Sequence, residues 1–368
     1  MQVLNLRLYQ YRNFGLQEVD FCPGTSLFFG QNGQGKTNLL EAIYLLGYGK
    51  SFRTATPRDC IQHGKHECRL QGRIGHGATI RELGITISLG QEKQLLLHGK
   101  PAGPSEFIGN LHALAFTQEH LKIVRGGPAE RRSFLDRAMI NIFPGHVPGL
   151  VAYDRALKQR NRLLGEALVS GRRTDSELLD SWDESLIREG SQILCNRRRY
   201  VERMKRELIN PFCSTESLEI QYESAAAGSG LDSRDVEREF RQKLRAARRL
   251  DERKGFTTVG PHRDDLRLLL NKKPLADFGS AGQQRSCLLS LCFAQMEIHL
   301  KTCGFYPVFL MDDVEAELDD RRLQAFLEHI SRKTQTFLTT AKEHVLPRIG
   351  HDVSQFHVHE GRINRINP

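Results

Sequence analysis

The segment GQNGQGKT, Gly30–Thr37, constrains the fold of this chain more than any other feature of its sequence. It matches the pattern G-x-x-x-x-G-K-[ST] and lies between a short apolar stretch, Thr25–Phe29, and a helix-periodic segment, Thr37–Tyr48. A strand, a glycine-rich turn and a helix in that order are typical of a phosphate-binding loop, whose backbone N–H groups surround a β-phosphate. The alternative is a glycine turn that only caps an ordinary helix. The strand–turn–helix context favours the phosphate loop.

Each position of this loop has an expected role. The Lys36 ammonium is expected on the β- and γ-phosphates, and the Thr37 hydroxyl is expected to hold Mg²⁺. The remaining loop residues are expected to supply backbone N–H donors and to let the phosphate approach the backbone closely. They are Gly30, Gln31, Asn32, Gly33, Gln34 and Gly35.

A loop of this kind needs a carboxylate directed at Mg²⁺, at the end of a second buried strand. The segment VFLMDD, Val308–Asp313, supplies four apolar residues and then two acids. Asp312 is expected to orient Mg²⁺ and Asp313 to polarise the attacking water; two acids after a strand could instead cap the next helix. About 276 residues separate Lys36 from Asp312. That distance excludes a compact GTPase or nucleoside kinase and predicts a large insertion.

The predicted secondary structure of the insertion differs from that of the two ends of the chain. Short strands broken by glycine are predicted between residues 50 and 115, and strands return at Phe256 and near the C-terminus. Long charged helices are predicted between about 116 and 253, most clearly at Ala152–Ser170, Leu178–Leu208 and Arg234–Arg253. The later strands are predicted at Val308–Met311, Thr336–Thr340 and within Phe356–Asn364.

We therefore predict an α/β fold with a mainly helical second lobe. The first lobe is assigned to residues 1–115, with the phosphate loop, and 302–368, with the acidic strand. The helical lobe is assigned to residues 116–301. No predicted helix is long enough for a coiled-coil arm.

The charge of the chain indicates a polyanionic partner. The net charge is +9, from 53 Lys and Arg against 44 Asp and Glu. Between Leu121 and Arg173 there are 11 basic and 4 acidic residues. Such a local excess favours nucleic-acid binding, although a solvated helical face remains an alternative for each residue. The residues we predict to contact DNA phosphates are Lys122, Arg125, Arg131, Arg132, Arg160 and Arg162.

Several classes of protein are disfavoured by the sequence. No uncharged apolar run approaches the 18–20 or so residues that span a bilayer, and the N-terminal segment does not resemble a signal peptide. A cytoplasmic protein without a membrane partner is therefore expected. The eight cysteines contain no C-x-x-C pair, which favours buried thiols over a zinc site or a disulfide framework.

The segment SAGQQ, Ser280–Gln284, resembles the signature motif of ABC-type ATPases. Ser280 alone would be explained as a helix N-cap, but Gly282 and Gln283 add a close-approach position and an amide at the electropositive end of the helix. In that class the motif contacts the γ-phosphate of ATP held by a second subunit. The resemblance therefore implies an ABC-type P-loop ATPase head that binds ATP and Mg²⁺ and forms an ATP-dependent homodimer. It also places Glu317–Asp319 in the loop that crosses the dimer interface.

Further motifs make the whole chain similar to the RecF family, relatives of SMC heads that lack long coiled coils. The motifs are Tyr11–Phe14, Gly49–Arg53, the phosphate loop, Glu119–Leu121, Gly126–Pro128, Arg131–Asp136, Gly260–Asp265, the signature and Asp312–Asp313. The resemblance implies an ATP-dependent DNA-binding protein with slow, DNA-stimulated hydrolysis. It implies action at single-strand gaps, junctions or duplex DNA, and partnership with RecR, and through it RecO, in loading RecA.

Four positions depart from related patterns. Gln118 stands where a proline is common in the family, and Ala316 stands where a serine often precedes Glu-Leu-Asp. Thr339 and Thr340 lie where transporter ATPases carry a switch histidine, which favours the SMC and RecF branch. Three other classes of protein are alternatives. A transporter subunit should carry that histidine, and an SMC-like tether needs heptad arms. A repair nuclease needs a further acidic cluster.

Overall fold

The computed structural model describes residues 1–143, 145–171, 175–209, 216–228, 230, 232–317, 320–330, 333–342 and 353–366. The chain forms two compact units. The sheet unit is built mainly from Met1–His120 and Ala281–Pro368, and the helical unit from Leu121–Asn210 and Ser214–Ser280. The two ends of the chain therefore share one unit, and the middle of the chain forms the other.

The secondary structure follows this division. The strands, in chain order, are β1 (Gln2–Tyr11), β2 (Phe14–Asp20), β3 (Thr25–Phe29), β4 (Glu67–His76), β5 (Thr79–Ser88), β6 (Gln94–Leu97), β7 (Lys100–Pro101), β8 (Ala113–Phe116), β9 (Leu218–Glu223), β10 (Asp265–Leu270), β11 (Lys273–Pro274), β12 (Val308–Met311), β13 (Thr336–Thr340), β14 (Val353–His359) and β15 (Arg362–Arg365). The helices are α1 (Lys36–Tyr48), α2 (Pro104–Phe107), α3 (Leu121–Arg125), α4 (Pro128–Met139), α5 (His146–Ser170), α6 (Ser176–Glu207), α7 (Ser233–Lys254), α8 (Leu275–Phe278), α9 (Ala281–Cys303), α10 (Val314–Glu317) and α11 (Asp320–Ile330).

One sheet of the sheet unit carries the candidate site. Its strand order is β15-β14-β3-β13-β12-β8, and all neighbours except β14 and β15 are parallel. Every residue of β12 and β13 is buried, as expected for parallel strands covered on both faces. Because the carboxyl ends of parallel strands meet at one edge, the residues that follow β3, β8, β12 and β13 lie close together.

Helix α1 packs between this sheet and a second, antiparallel sheet of order β2-β1-β4-β5-β6-β7. Leu39, Leu40, Ile43 and Leu46 on α1 are fully buried. Burial of each such side chain contributes about 1.5–3 kcal/mol, so the helix that follows the phosphate loop is firmly held. The helix ends at Gly49, whose φ of 62° allows its N–H to donate to the Leu45 carbonyl at 2.7 Å.

The helical unit is centred on α5, α6 and α7. Its apolar core includes Tyr153, Leu186, Leu194 and Phe240. Gly190 is required for the close packing of these helices, since a Cβ there would lie 2.6 Å from the Phe240 ring.

The segment Gly260–Asp265 links several elements within the helical unit. Arg197 donates to the Pro261 carbonyl at 2.7 Å, and the Tyr153 hydroxyl lies 2.7 Å from Nδ1 of His262. Asp265 accepts two hydrogen bonds from Arg131, at 2.6 and 2.9 Å. These contacts give the segment a structural role that its sequence did not reveal.

The fold class predicted from the sequence is confirmed, with mixed sheets and a mainly helical second unit. The predicted strands at residues 25–29, 308–311 and 336–340 match β3, β12 and β13. The prediction of strand at Phe256 is wrong, because the next strand begins at Asp265. The compact units change at residues 120 and 280, whereas the predicted lobes change at 115 and 301. The lobe assignment stays a prediction.

Among the described residues, no helix combines the length and apolar character that crossing a bilayer requires.

Candidate nucleotide-binding site

The phosphate loop joins β3 to α1 with the conformation that its glycines allow. Gly30, Gly33 and Gly35 have φ values of 144°, 81° and 116°. At Gly30 a Cβ would lie 2.2 Å from the Val358 carbonyl oxygen, so no other residue fits without a shift in the backbone.

The Lys36 ammonium is held inside this loop. Its Nζ donates to the carbonyl oxygens of Gly30, at 2.6 Å, and Gln31, at 2.9 Å. Burial lowers the pKa of Lys36, while the carboxylates of Asp313, Glu315 and Asp312 favour its charged form. The arrangement holds a desolvated cation at the centre of the loop, where a phosphate group would be attracted strongly.

The Tyr11–Phe14 motif braces the loop from outside. Asn13 donates to the Gln34 carbonyl at 2.7 Å and accepts from Asn38 at 2.8 Å. A Cβ on Gly35 would lie 2.7 Å from the Asn13 amide and 2.9 Å from the Phe14 ring. The third glycine of the loop is therefore required by this contact as well as by its φ.

The acid at the end of β12 meets the loop. The Thr37 hydroxyl lies 2.9 Å from both carboxylate oxygens of Asp312, and the buried Thr339 hydroxyl lies 2.7 Å from Oδ1. Thr339 is placed for this contact because β13 lies between β3 and β12 in the sheet. Two hydroxyls and a carboxylate thus converge on one point, and oxygen donors of this kind suit a hard divalent cation.

Asp313 has an unusual backbone conformation, with a φ of 55°. Its N–H donates to the Thr339 hydroxyl at 2.8 Å, which helps to hold this turn. Burial, together with the carboxyl groups of Glu315 and Asp312, raises the pKa of Asp313 to about 6. The side chain is a partly desolvated carboxyl at a strained position, which is common at functional sites.

These residues line one open cavity of about 650 Å³. Its lining comprises Asn32, Gly33, Gly35, Lys36, Thr37, Asn38, Phe52, Arg53, Thr117, Gln118, Glu119, Asp312, Asp313 and Thr339. Gln118 lies 3.5 Å from Asp313, so the position where a proline is common carries a polar group beside the acids. The volume lies within the range of small-ligand sites.

The signature segment lies at the start of α9. Because the helix begins at Ala281, Ser280 occupies the N-cap position, and its side chain is exposed. Gly282 and Gln283 are half-buried, and Gln284 is buried. The predicted interface loop Glu317–Asp319 lies largely outside the described residues, as does the Ala316 side chain. The trans contact of Ser280, Gly282 and Gln283 therefore stays a prediction.

Most of the basic residues predicted to contact DNA are at least partly accessible. Lys122 and Arg125 are exposed on α3, and Arg162 is exposed on α5, where it pairs with Glu166 at 2.7 Å. Arg131 is half-buried by its pairing with Asp265, and Arg132 donates to the Asp264 carbonyl at 2.7 Å. These five residues keep their predicted role as a hypothesis.

The prediction for Arg160 is wrong. Its side chain is fully buried and pairs with Asp183 at 2.6 Å and Asp251 at 2.8 Å. It also donates to the Thr257 hydroxyl at 2.9 Å. Because these groups already surround the guanidinium inside the helical unit, Arg160 is a structural residue.

Several residues of the site were missed as contributors by the sequence analysis. Asn13 lies in the motif Tyr11–Phe14, but nothing in the neighbouring sequence indicates a contact with Gln34. Thr339 was noted only as a departure from a transporter histidine, and Arg53, which donates to Asn38 at 2.5 Å, had no assigned role. The available signal for Thr339 was its position near the end of the predicted strand Thr336–Thr340.

Comparison with known proteins agrees with this architecture. The family model described as the RecF/RecN/SMC N terminal domain matches residues 2–364. The DNA replication and repair protein RecF of Exiguobacterium sp. is 36% identical over 373 residues, which cover 99% of each chain.

Two solved structures extend the comparison. The recombination mediator protein RecF-ATPrS of the RecFOR pathway is 29% identical with a TM-score of 0.90, covering 100% of this chain and 98% of its own. The Smc head domain derived from Pyrococcus furiosus shares the fold, with 16% identity, a TM-score of 0.57 and coverage of 99% and 95%. The full-length family match, the extent of identity and the position of the phosphate loop opposite an acidic strand lead to one conclusion: this chain belongs to the RecF family.

Proposed function

We propose that this chain is an ATP-dependent DNA-binding protein of recombinational repair and replication maintenance. In this proposal it closes as an ATP-bound dimer on gapped or junction DNA and helps to load RecA there. Hydrolysis of ATP is slow, is stimulated by DNA and releases the dimer. The observation that carries the proposal is the convergence of Lys36, Thr37 and Asp312 in one open cavity, in a chain of the RecF family.

ATP is the proposed ligand of this cavity. The loop N–H groups and Lys36 provide donors for the phosphates, and a RecF relative has been solved as RecF-ATP, with 28% identity and a TM-score of 0.88. Once a γ-phosphate is available as a stronger acceptor, Lys36 exchanges its bonds with Gly30 and Gln31 for charge-assisted bonds to phosphate.

Mg²⁺ is the proposed second cofactor, and the residues present fit it. The Thr37 hydroxyl and the Asp312 carboxylate lie 2.9 Å apart and offer only oxygen donors. Bound Mg²⁺ would neutralise charge on the phosphate oxygens. Thr339 keeps the Asp312 carboxylate oriented through its 2.7 Å hydrogen bond.

Asp313 is the proposed base for hydrolysis. It follows Asp312 directly and lines the same cavity, so its carboxylate can accept a hydrogen bond from a water that attacks the γ-phosphate. Gln118, 3.5 Å away, provides a second polar group that can orient this water.

Dimer closure is proposed to complete the site. The exposed Ser280 and the half-buried Gly282 and Gln283 lie at the start of a 23-residue helix, where backbone N–H groups and the helix dipole favour an anion. In a two-fold dimer each subunit would offer this end to the γ-phosphate bound by its partner.

DNA, RecR and RecO are the proposed macromolecular partners. The exposed Lys122, Arg125 and Arg162 supply charge for DNA phosphates. The proposal for RecR, and through it RecO, rests on the relative that is described as a mediator of the RecFOR pathway. The alternative of a transporter-like or SMC-like ATPase head is less well supported, because the full-length relatives are RecF proteins.

Sedimentation of the full chain tests the proposal. We expect a monomer alone, a dimer with ATP and Mg²⁺, and a more stable dimer when gapped DNA is added. ADP in place of ATP is the control and should leave the monomer. A chain that stays monomeric with ATP and gapped DNA, or that dimerises equally without nucleotide, would contradict the proposed closure.

A further inference from the structure

Two histidines and a cysteine meet in the sheet unit, away from the nucleotide cavity. His112 directly precedes β8, and His299 and Cys303 lie four residues apart on α9, where side chains share a face. Both histidines are buried, with exposures of 9% and 6%, and Cys303 is half-buried. One ligand atom of each residue lies within 4.8 Å of the other two.

Backbone carbonyls fix which nitrogen of each imidazole carries hydrogen. Nε2 of His112 lies 3.0 Å from the Gly109 carbonyl, and Nδ1 of His299 lies 2.7 Å from the Phe305 carbonyl. A carbonyl oxygen only accepts, so each of these contacts is a hydrogen bond in the tautomer that carries hydrogen on the nitrogen named. In the neutral rings, Nδ1 of His112 and Nε2 of His299 therefore carry lone pairs.

The two lone-pair nitrogens face each other at 2.5 Å. Two facing lone pairs repel each other, and a cation bound by both nitrogens, such as a metal ion, turns this contact into an attraction. The two buried rings therefore direct two donor nitrogens at one place.

The hydrogen bond from each imidazole to a backbone carbonyl is of the kind that metal-ligating histidines make. A ligating histidine almost always donates its other N–H to a carbonyl or carboxylate, which sets its tautomer and orientation. Both rings already do so. The Cys303 sulfur adds the third donor, and two imidazoles with a thiolate form a donor set suited to Zn²⁺ and unsuited to Mg²⁺.

We propose that His112, His299 and Cys303 bind a transition-metal ion of the Zn²⁺ class. Zn–N bonds of about 2.0–2.1 Å at a tetrahedral angle place two nitrogens about 3.3 Å apart. The rings therefore need to separate by less than 1 Å from the observed contact. When the ion binds, the Cys303 thiol loses its proton to solvent, and the resulting thiolate bonds to the ion.

The site is distinct from the Mg²⁺ position at Asp312. His112 precedes the amino end of β8, whereas Thr117 and Gln118 follow its carboxyl end and line the nucleotide cavity. Five residues of extended chain span about 16 Å. A bound ion would cross-link the end of α9 to the loop that enters β8, within the sheet unit. This proposal replaces, for Cys303, the interpretation of the cysteines as thiols without a metal.

Titration of the full chain with Co²⁺, in excess Mg²⁺, tests the proposal. Mg²⁺ holds the oxygen site at Asp312, so the readout is the thiolate-to-cobalt charge-transfer band with the d–d bands of a tetrahedral ion. We expect one Co²⁺ per chain, displaced by Zn²⁺. Cys303→Ser should abolish the charge-transfer band, and His299→Gln should raise the Kd more than about a hundredfold, beyond the effect of losing an outer hydrogen bond.

Cys22→Ser is the matched control, because Cys22 is another half-buried cysteine of the sheet unit. It should leave the band and the Kd unchanged. A second measurement on the unaltered chain avoids any misfolding of the variants: Zn²⁺ should slow alkylation of Cys303, located by mass spectrometry, and spare that of Cys22. Absence of the charge-transfer band, equal loss in Cys22→Ser, or no protection of Cys303 would each overturn the proposal.

Discussion

The two compact units use their charged side chains in different ways. In the sheet unit, Lys36, Asp312 and Asp313 gather at the ends of parallel strands around a cavity of about 650 Å³. In the helical unit, Arg160 pairs inside the core with Asp183 and Asp251. Charges that face a cavity are available to a ligand, whereas charges that neutralise each other in a core hold helices together.

The same difference appears in the hydrogen-bond acceptors of the two buried cations, Lys36 and Arg160. The Lys36 ammonium is held by backbone carbonyls, and no carboxylate in the described part of the chain is among its hydrogen-bond acceptors. Arg160 instead has two carboxylates and a hydroxyl as acceptors. We infer that removal of Lys36 mainly affects ligand binding, and that removal of Arg160 mainly affects the stability of the fold.

Replacement of Arg160 is expected to have the largest effect. Arg160→Met leaves Asp183 and Asp251 as uncompensated buried acids, and burial already raises the pKa of Asp183 even beside Arg160. Loss of one member of a buried ion pair costs about 3–5 kcal/mol. Urea unfolding should show this loss, whereas the exposed Arg162→Met should leave the midpoint unchanged. Equal midpoints for the two variants would contradict the structural role of Arg160.

Replacement of Lys36 should give the opposite pattern. Lys36→Met removes two charge-assisted hydrogen bonds to phosphate, each worth about 1.5–3 kcal/mol, and should weaken ATP binding at least a hundredfold. Stability to urea should change little, because a desolvated cation is removed from the loop. Lys93→Met is the control, since Lys93 is also partly buried and also donates to a backbone carbonyl, that of Gly49. Tight ATP binding by Lys36→Met in a calorimetric titration would refute the phosphate-loop assignment.

Replacement of Asp313 should separate binding from hydrolysis within the sheet unit. Asp313→Asn keeps the size and polarity of the side chain but removes the carboxylate, so phosphate release should slow by about a hundredfold or more. ATP affinity should be retained, and the dimer should remain closed on DNA. Unchanged turnover would count against Asp313 as the base and would direct attention to Glu315 or Glu317.

The smallest expected effect concerns the exposed cations of the helical unit. For duplex DNA, the logarithm of affinity falls by about 0.9 per phosphate contact for each tenfold increase in salt. Lys122→Glu with Arg125→Glu should reduce this slope by about 1.8 and leave ATP binding intact. Arg238→Glu on α7, an exposed arginine outside the predicted set, should not alter it. An unchanged slope in the double variant would move the DNA path away from α3.

The sequence predicted the long elements of both units: Ala152–Ser170, Leu178–Leu208 and Arg234–Arg253 correspond to α5, α6 and α7, and Val308–Met311 corresponds to β12. Apolar runs such as Val308–Met311 specify buried parallel strands, and the spacing of the phosphate loop requires a particular backbone. The prediction of a strand at Phe256 failed because Phe256 directly follows Gly255, the residue that caps α7, and lies in a loop with its ring 5.1 Å from the Arg263 guanidinium.

Long-range partners could not be read from local pattern. Arg160 and Arg162 lie two residues apart on α5, yet one points into the core and the other into solvent. A count of basic residues cannot tell which of the two arginines is buried. That distinction depends on which face of α5 lies in the core and on the acids of α6 and α7. The contact of Asn13 with Gln34 is likewise a product of the tertiary fold.

Sedimentation of Ser280→Arg with ATP and Mg²⁺ tests the proposed closure most directly. We expect this variant to bind ATP as well as the unaltered chain does, because its own Gly30–Thr37 loop is intact, yet to stay monomeric. Ser280→Gly is the control, since a glycine N-cap costs only a few tenths of a kcal/mol and adds no bulk, so it should still dimerise. A normal ATP-dependent dimer of Ser280→Arg would contradict the claim that each subunit completes the nucleotide site of its partner.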